Sequence, residues 1–235
     1  MLVTSNPSTL TVTQRSDSVG MLLGLVKDSE ALDLMHFEAL MSLTNLASFD
    51  TETKNRVVAQ KGLQILGYAM FSDHELVRLR ATEAMCNLVP NAEFMDYLTK
   101  EENVRVWIAF SLDYEANFEC ARAATGCLAM AVPDPNVAMA IVNTSRFSEL
   151  IRTLMECGRL ELMHRVLALL VGLIEHGGKC REAVIATGAK PFCDVYIQKF
   201  QDEKKTLRDF KFSQSERRSL TETLNLAKDV IKLLS

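Results

Sequence analysis

Apolar residues recur at helical spacing along most of the chain, and the pattern repeats itself at a step of about 42 residues. The clearest copy is Phe37–Ala47, and related segments lie at 79–89, 121–131 and, more weakly, 163–173. Self-similarity at this period is typical of armadillo and HEAT solenoids, in which each unit buries its apolar face against the next one. The sequence therefore predicts an all-α, right-handed α-solenoid.

The long helix of each unit carries two small residues followed by two larger ones at positions i, i+3, i+4 and i+7. Small side chains let a neighbouring helix approach closely, so these positions are predicted to be core. They are Ala39, Ser42, Leu43 and Leu46, then Ala81, Ala84, Met85 and Leu88, then Ala123, Gly126, Cys127 and Met130. The preceding short helix carries two more predicted core columns, namely Leu66, Ile108, Leu150 and Phe192, and Met70, Leu112, Leu154 and Tyr196.

Two short helices and one long helix make up the predicted unit, which favours armadillo over the two-helix HEAT pattern. Gly62 separates the short helices and is predicted to form a left-handed turn between them. Pro90 and Pro133 each follow a long helix, where they would stop it.

The array is expected to begin with a partial unit at 18–48, as in an excised fragment, and to continue as units 49–90, 91–132, 133–175 and 176–213. Residues 1–17 are rich in Ser and Thr, and we predict that they are disordered. A helix at 214–235 is predicted to cap the last open face of the array.

Composition narrows the class of protein. The chain is 48% hydrophobic and 24% charged, with a formal net charge of -4. This balance argues against a nucleic-acid partner, which usually requires a basic face. No apolar run reaches the roughly 18 residues that span a bilayer, and no secretory signal opens the chain, so no membrane association is predicted. The six cysteines are scattered without a Cys-x-x-Cys pair, which favours a cytoplasmic location.

The sequence offers no set of residues for catalysis. It lacks a phosphate-binding loop, a Gly-x-Ser-x-Gly motif and a paired-histidine zinc motif. His176 and Cys180 are four residues apart, but two glycines stand between them, so no metal site is predicted there. Trp107 is predicted to pack in the core, and the basic residues at 199–218 to form a solvated, charged loop. We therefore predict no catalytic, cofactor or metal site and no enzyme activity.

A polar stripe beside the core columns is the candidate functional surface. Stacked long helices line the concave side of an armadillo array, where extended protein segments bind. The predicted groove residues are Glu38, Asn45, Arg80, Glu83, Asn87 and Arg122. Asparagine is a poor helix former, so Asn45 and Asn87 call for an explanation. Each amide either bonds the backbone of the adjacent repeat or faces a bound chain, and the sequence leaves both open.

Several of these segments together resemble the UCS-domain myosin chaperones. The resemblance is carried by 37–47 (FEALMSLTNLA), 80–89 (RATEAMCNLV), 106–109 (VWIA) and 123–131 (AATGCLAMA). It covers roughly residues 30–200. The first segment alone is common among armadillo proteins, whereas the combination in this order is more specific.

The resemblance implies a co-chaperone that binds the myosin motor domain and folds or protects it. Animal-type members carry an N-terminal tetratricopeptide module that recruits a heat-shock chaperone, and that module is absent from this chain. The alternative is a general armadillo adaptor in a signalling or trafficking complex. The two hypotheses differ in whether the chain binds a myosin motor.

Overall fold

The computed structural model describes the backbone of residues 6–206 and 213–235, and the side chains of 6–199 and 213–235. Over these residues a short 3-10 helix, Pro7–Thr9, precedes fourteen α-helices. Their bounds are α1 Val12–Lys27, α2 Asp33–Phe49, α3 Thr51–Ala59, α4 Gly62–Ala69, α5 Glu75–Cys86, α6 Ala92–Thr99, α7 Glu101–Leu112, α8 Phe118–Ala131, α9 Pro135–Asn143, α10 Phe147–Glu156, α11 Leu160–Glu175, α12 Gly178–Ala186, α13 Ala189–Thr206 and α14 Gln214–Leu234. The predicted all-α solenoid is confirmed.

The helices follow one another in groups of three. α3, α4 and α5 lie within the predicted unit 49–90, α6 to α8 lie within 91–132, and α9 to α11 lie within 133–175. The third helices stack in order, with α2 against α5, α5 against α8, and α8 against α11. This row of long helices forms the continuous wall on which the candidate site lies.

The first helix of each of the units 49–90, 91–132 and 133–175 begins at a side chain that caps it, whereas α12 begins at Gly177 without a side-chain cap. Asp50 accepts a hydrogen bond from the Thr53 amide at 2.7 Å, and Asn91 accepts one from the Phe94 amide at 3.1 Å. Asp134 accepts from the Val137 amide at 3.1 Å, directly before a proline in the first turn. Each cap satisfies an amide that has no partner within its own helix, so the repeat is marked locally as well as by its apolar columns.

The turn between the first two short helices differs from the prediction. The left-handed residue is Lys61, with φ of 61°, and not Gly62. Gly62 opens α4 instead, where a Cβ atom would lie 2.5 Å from the carbonyl oxygen of Val57. The glycine is therefore required by the close approach of α3 and not by its own backbone conformation.

The predicted core columns hold in α2 and in α5 with the turn that follows it, where all eight residues are buried. In α8 the prediction is wrong for Ala123, which is half-buried, and for Met130, which is 49% exposed. The buried line of α8 runs through Ala121, Ala124, Cys127, Leu128 and Ala131. Ala123, Gly126 and Met130 instead line an open cavity along the third helices, which explains why this face of α8 is not core.

The short-helix columns are buried at Leu66, Ile108 and Leu150, and at Met70 and Leu154. Leu112, Phe192 and Tyr196 also pack against the core, but they lie at its edge and are only half-buried. At the first two positions the buried residue is a sequence neighbour, Ser111 before Leu112 and Cys193 after Phe192, so the buried helix face is displaced by one residue there. Trp107 is fully buried and meets Phe94 edge to face at 6.1 Å, which confirms its packing role.

The N-terminal segment is more ordered than predicted. Residues 6–17 include the 3-10 helix and the first turns of α1, so the prediction of disorder is wrong there. A reciprocal capping box between Thr11 and Gln14 starts α1. Arg15 then pairs with Asp50 at 2.9 Å and lies 4.6 Å above the ring of Phe49. The remaining part of the predicted disordered segment, residues 1–5, lies outside the described residues.

The C-terminal helix, predicted as a cap, packs against α11 and α13. α14 thus occupies the third-helix position of the last unit and continues the row of long helices. The predicted charged loop is helical at 199–206 and 214–218, which corrects that expectation. Positions 207–212 and the side chains of Lys204 and Lys205 lie outside the described residues. None of the helices that the structure describes is both long and apolar enough to cross a membrane.

Candidate partner-binding groove

An open cavity of about 660 Å³ runs along the third helices α2, α5, α8 and α11. Its lining is Thr44, Asn45, Ser48, Arg80, Glu83, Cys86, Asn87, Arg122, Ala123, Gly126, Ala129, Met130, His164, Arg165 and Ala168. Five of the six predicted groove residues are among them. The sixth, Glu38, is half-buried on α2 and does not line the cavity. We refer to this cavity as the groove.

The two asparagines have different environments. The Asn87 side-chain amide donates a hydrogen bond of 3.0 Å to the Thr44 carbonyl, so it bonds the backbone of the adjacent repeat. The Thr44 hydroxyl in turn donates to the Leu40 carbonyl at 2.8 Å and contacts the Arg80 carbonyl at 3.3 Å. Asn45 is half-buried at the groove surface. Of the two roles considered for these residues, Asn87 takes the structural one.

Charged side chains form a ladder across the groove floor. Arg80 contacts Glu83 at 2.6 Å, and the other oxygen of Glu83 lies 3.9 Å from Arg122. Arg122 also contacts Glu119 at 2.7 Å and Glu161 at 3.7 Å. The ladder joins α5, α8 and α11. Its ion pairs are partly exposed and contribute about 0–1 kcal/mol each, so they fix the positions of these side chains more than they stabilise the fold.

Arg165 is a groove residue that the sequence reasoning missed. It comes from α11 and crosses α8 at Gly126, where a Cβ atom would lie 3.2 Å from its Nε. Burial lowers the pKa of Arg165, and the nearby charge of Arg122 lowers it further. A mid-helix glycine costs about 1 kcal/mol relative to alanine, so Gly126 could have signalled that a side chain crosses there.

Two cysteines meet at the groove wall. Cys86 lines the groove, and Cys127 lies fully buried behind it. Interaction with Cys127 lowers the pKa of the Cys86 thiol, while burial raises the pKa of Cys127 well above its usual range. Cys86 is thus the more acidic member of the pair.

His176 and Cys180 have structural partners. The His176 Nε2 donates to the Val132 carbonyl at 2.7 Å, and the Cys180 sulfur lies 3.6 Å from that of Met139. No group of three or more His, Cys, Asp or Glu side chains that could hold a metal occurs in the searched part of the chain, residues 6–199 and 213–235.

Sequence comparison identifies related proteins, although no family model matches the chain. It is 30% identical over 173 residues to unc-45 homolog B of Xenopus laevis, covering 72% of this chain and 19% of that protein. It is 28% identical over 186 residues to unc-45 homolog B of Danio rerio, covering 78% of this chain and 19% of that protein. The chain is homologous to UNC-45 proteins. It spans about a fifth of the length of these curated relatives.

Solved structures give the same fold. UNC-45 from Drosophila melanogaster matches with a TM-score of 0.78 at 20% identity, over 95% of this chain and 26% of that one. An UNC-45 chaperone characterised for binding and folding muscle myosin matches with a TM-score of 0.76 at 18% identity, over 94% of this chain and 23% of that one. A designed armadillo repeat protein in complex with a (KR)4 peptide matches with a TM-score of 0.72 at 16% identity, over 92% and 82% of the two chains. The homology confirms the resemblance to UCS-domain myosin chaperones that the sequence motifs indicate.

Proposed function

We propose that this chain is a non-enzymatic, myosin-binding co-chaperone unit that folds or protects the myosin motor through the groove. The homology to UNC-45 proteins over most of the chain carries this proposal. The place of the groove supports it, because stacked third helices offer a concave surface that can follow an extended segment of another protein. In this proposal, a module outside this chain recruits a heat-shock chaperone, as in animal-type members of the family.

The groove suits recognition of a protein segment. Its walls alternate polar groups such as Asn45 with apolar ones such as Ala129 and the exposed Met130. Methionine side chains adapt to different apolar partners, and asparagine both donates to and accepts from a peptide backbone. A groove of this composition can bind incompletely folded segments that differ in sequence.

Binding and protection of a myosin motor domain test the proposal. The purified chain is expected to bind the motor domain in solution and to reduce its heat-induced aggregation. Met130→Glu is expected to weaken both effects, because it places a charge on the apolar wall of the groove. Arg105→Glu, on α7 outside the groove lining, is the matched control and is expected to leave both unchanged.

Two results would contradict the proposal. One is a wild-type chain that neither binds the motor nor suppresses its aggregation. The other is equal loss in Met130→Glu and Arg105→Glu, because that would place the binding surface elsewhere. Binding of other proteins without any binding of the motor would support the armadillo adaptor instead.

A further inference from the structure

We propose that the groove binds an acidic segment of its partner, with an aspartate or glutamate carboxylate seated on Arg165. The identity of the partner rests on the proposed function, whereas the chemistry of this subsite rests on the groove itself. The subsite comprises Arg165 of α11, together with Gly126 and Arg122 of α8.

Arg165 is held in place but incompletely bonded. Its NH1 group donates to the Glu161 carbonyl at 3.2 Å, and its Nε lies over Gly126. A guanidinium has five N–H donors in a fixed planar arrangement, so most of them are available. Among the described side chains, no carboxylate lies within 4.0 Å of Arg165, although Arg122 has three within that distance.

Electrostatics favours an incoming anion at this position. Partial burial weakens the solvation of the guanidinium, and the neighbouring positive charge of Arg122 repels it, as the lowered pKa of Arg165 reflects. A carboxylate that reaches Arg165 would relieve both effects and could form two parallel N–H···O hydrogen bonds.

The surroundings favour a carboxylate over a phosphate group. Glu83, Glu119 and Glu161 surround Arg122, and Glu161 lies one turn before Arg165 on α11. These carboxylates would repel a dianionic phosphate more strongly than a monoanionic side chain. The same Arg165 would disfavour a basic peptide such as the (KR)4 ligand of the designed armadillo protein.

Fluorescence anisotropy with short labelled peptides tests the subsite. The probes are a peptide of alternating glutamate and serine, its glutamine counterpart, a counterpart in which phosphoserine replaces glutamate, and (KR)4. The glutamate peptide is expected to bind about tenfold or more tightly than the glutamine peptide, as for a charge-assisted hydrogen bond. The preference is expected to shrink between about 50 mM and about 300 mM salt.

Three variants locate the effect. Arg165→Gln is expected to abolish the preference for the glutamate peptide, whereas Arg105→Gln, an exposed arginine paired with Glu101 on α7, is expected to retain it. Gly126→Ala is expected to weaken glutamate-peptide binding while keeping the charge, because its Cβ displaces the guanidinium. Circular dichroism verifies that each variant is folded.

The proposal is overturned if the glutamine peptide binds as tightly as the glutamate peptide, or if the phosphoserine peptide or (KR)4 binds more tightly. It is also overturned if folded Arg165→Gln keeps the preference, or if Gly126→Ala binds the glutamate peptide like the wild type. Motor-domain binding is measured separately. A glutamate preference without motor binding would contradict only the proposed function, and motor binding without a glutamate preference would contradict only this subsite.

Discussion

The side-chain amide of Asn87 donates a 3.0 Å hydrogen bond to the backbone carbonyl of Thr44, and so joins the third helices of adjacent units. Asn87 stands 42 residues after Asn45, at the same position of the repeat. The two residues nevertheless do different things, since Asn45 is half-buried at the groove surface. Equivalent positions in this array therefore separate into structural and surface roles.

Substitution of the two asparagines should separate stability from binding. Asn87→Ala is expected to lower the free energy of unfolding by about 0.5–1.5 kcal/mol, because it removes the hydrogen bond between the two third helices. Asn45→Ala is expected to change it by less than about 0.5 kcal/mol, as for most surface substitutions. Urea denaturation followed by circular dichroism measures both.

Motor-domain binding completes this comparison. If Asn45 contacts the partner, Asn45→Ala weakens binding although the protein keeps its stability. Equal destabilisation by the two substitutions would contradict the division of roles.

The fold was predictable from sequence because its determinants are local and repeated. The 42-residue period, the small residues of α2 and α5, and the capping side chains at 50, 91 and 134 each mark one element. The N-terminal turns were missed because the Ser- and Thr-rich composition outweighed a local signal, the Thr11–Gln14 capping box, and because Arg15 contacts Asp50, 35 residues away in the chain. A contact between residues so far apart in the chain cannot be predicted from composition.

The candidate groove was predictable only in part. A stripe on each third helix brought five residues to one cavity, because the helices stack in register. Arg165 was missed because its role depends on how far its side chain reaches over the neighbouring helix. Glu38 was included because it shares the stripe of Asn45, but it lies outside the lining of the cavity.

Two glycines of α4 offer a matched test of close packing. Gly62→Ala is expected to lower the free energy of unfolding by about 1–3 kcal/mol, because the new Cβ would lie 2.5 Å from backbone and side-chain atoms of Val57. Gly67→Ala meets nothing within 4 Å and is expected to stabilise the protein by about 0.5–1 kcal/mol, since alanine favours the helix. Thermal and urea denaturation measure both. Stabilisation by Gly62→Ala would show that the approach of Val57 is not tight.

The thiol pair predicts a site-specific pH dependence. Interaction with Cys127 lowers the pKa of Cys86, whereas burial raises the pKa of the half-buried Cys157. Alkylation by iodoacetamide requires the thiolate, so its rate at Cys86 is expected to rise at lower pH than at Cys157. Mass mapping of alkylated peptides across a pH series measures the two profiles.

Cys127→Ala provides the control for this assignment. Loss of the Cys127 thiol is expected to move the Cys86 profile to higher pH, while the Cys157 profile stays in place. An unchanged Cys86 profile would show that another group sets its pKa.

The contact between Arg15 and Asp50 predicts how stability depends on pH. Burial by itself raises the pKa of Asp50, but hydrogen bonds from Thr53 and the Arg15 guanidinium outweigh this and hold the pKa below its usual range. A carboxyl group whose pKa is lower in the folded state stabilises the fold above its unfolded pKa, near 3.9. That contribution is lost as the pH falls through the lower, folded value.

Asp50→Asn isolates the charge, because asparagine caps a helix about as well as aspartate but does not titrate. The variant is expected to be less stable than the wild type by about 1 kcal/mol at neutral pH, and the difference is expected to shrink below about pH 4. Urea denaturation at several pH values measures it, with Glu156→Gln on the exposed end of α10 as the control. A difference that stays constant, or grows as the pH falls, would contradict the assignment, because it would mean that the Asp50 carboxylate is not preferentially stabilised in the folded protein.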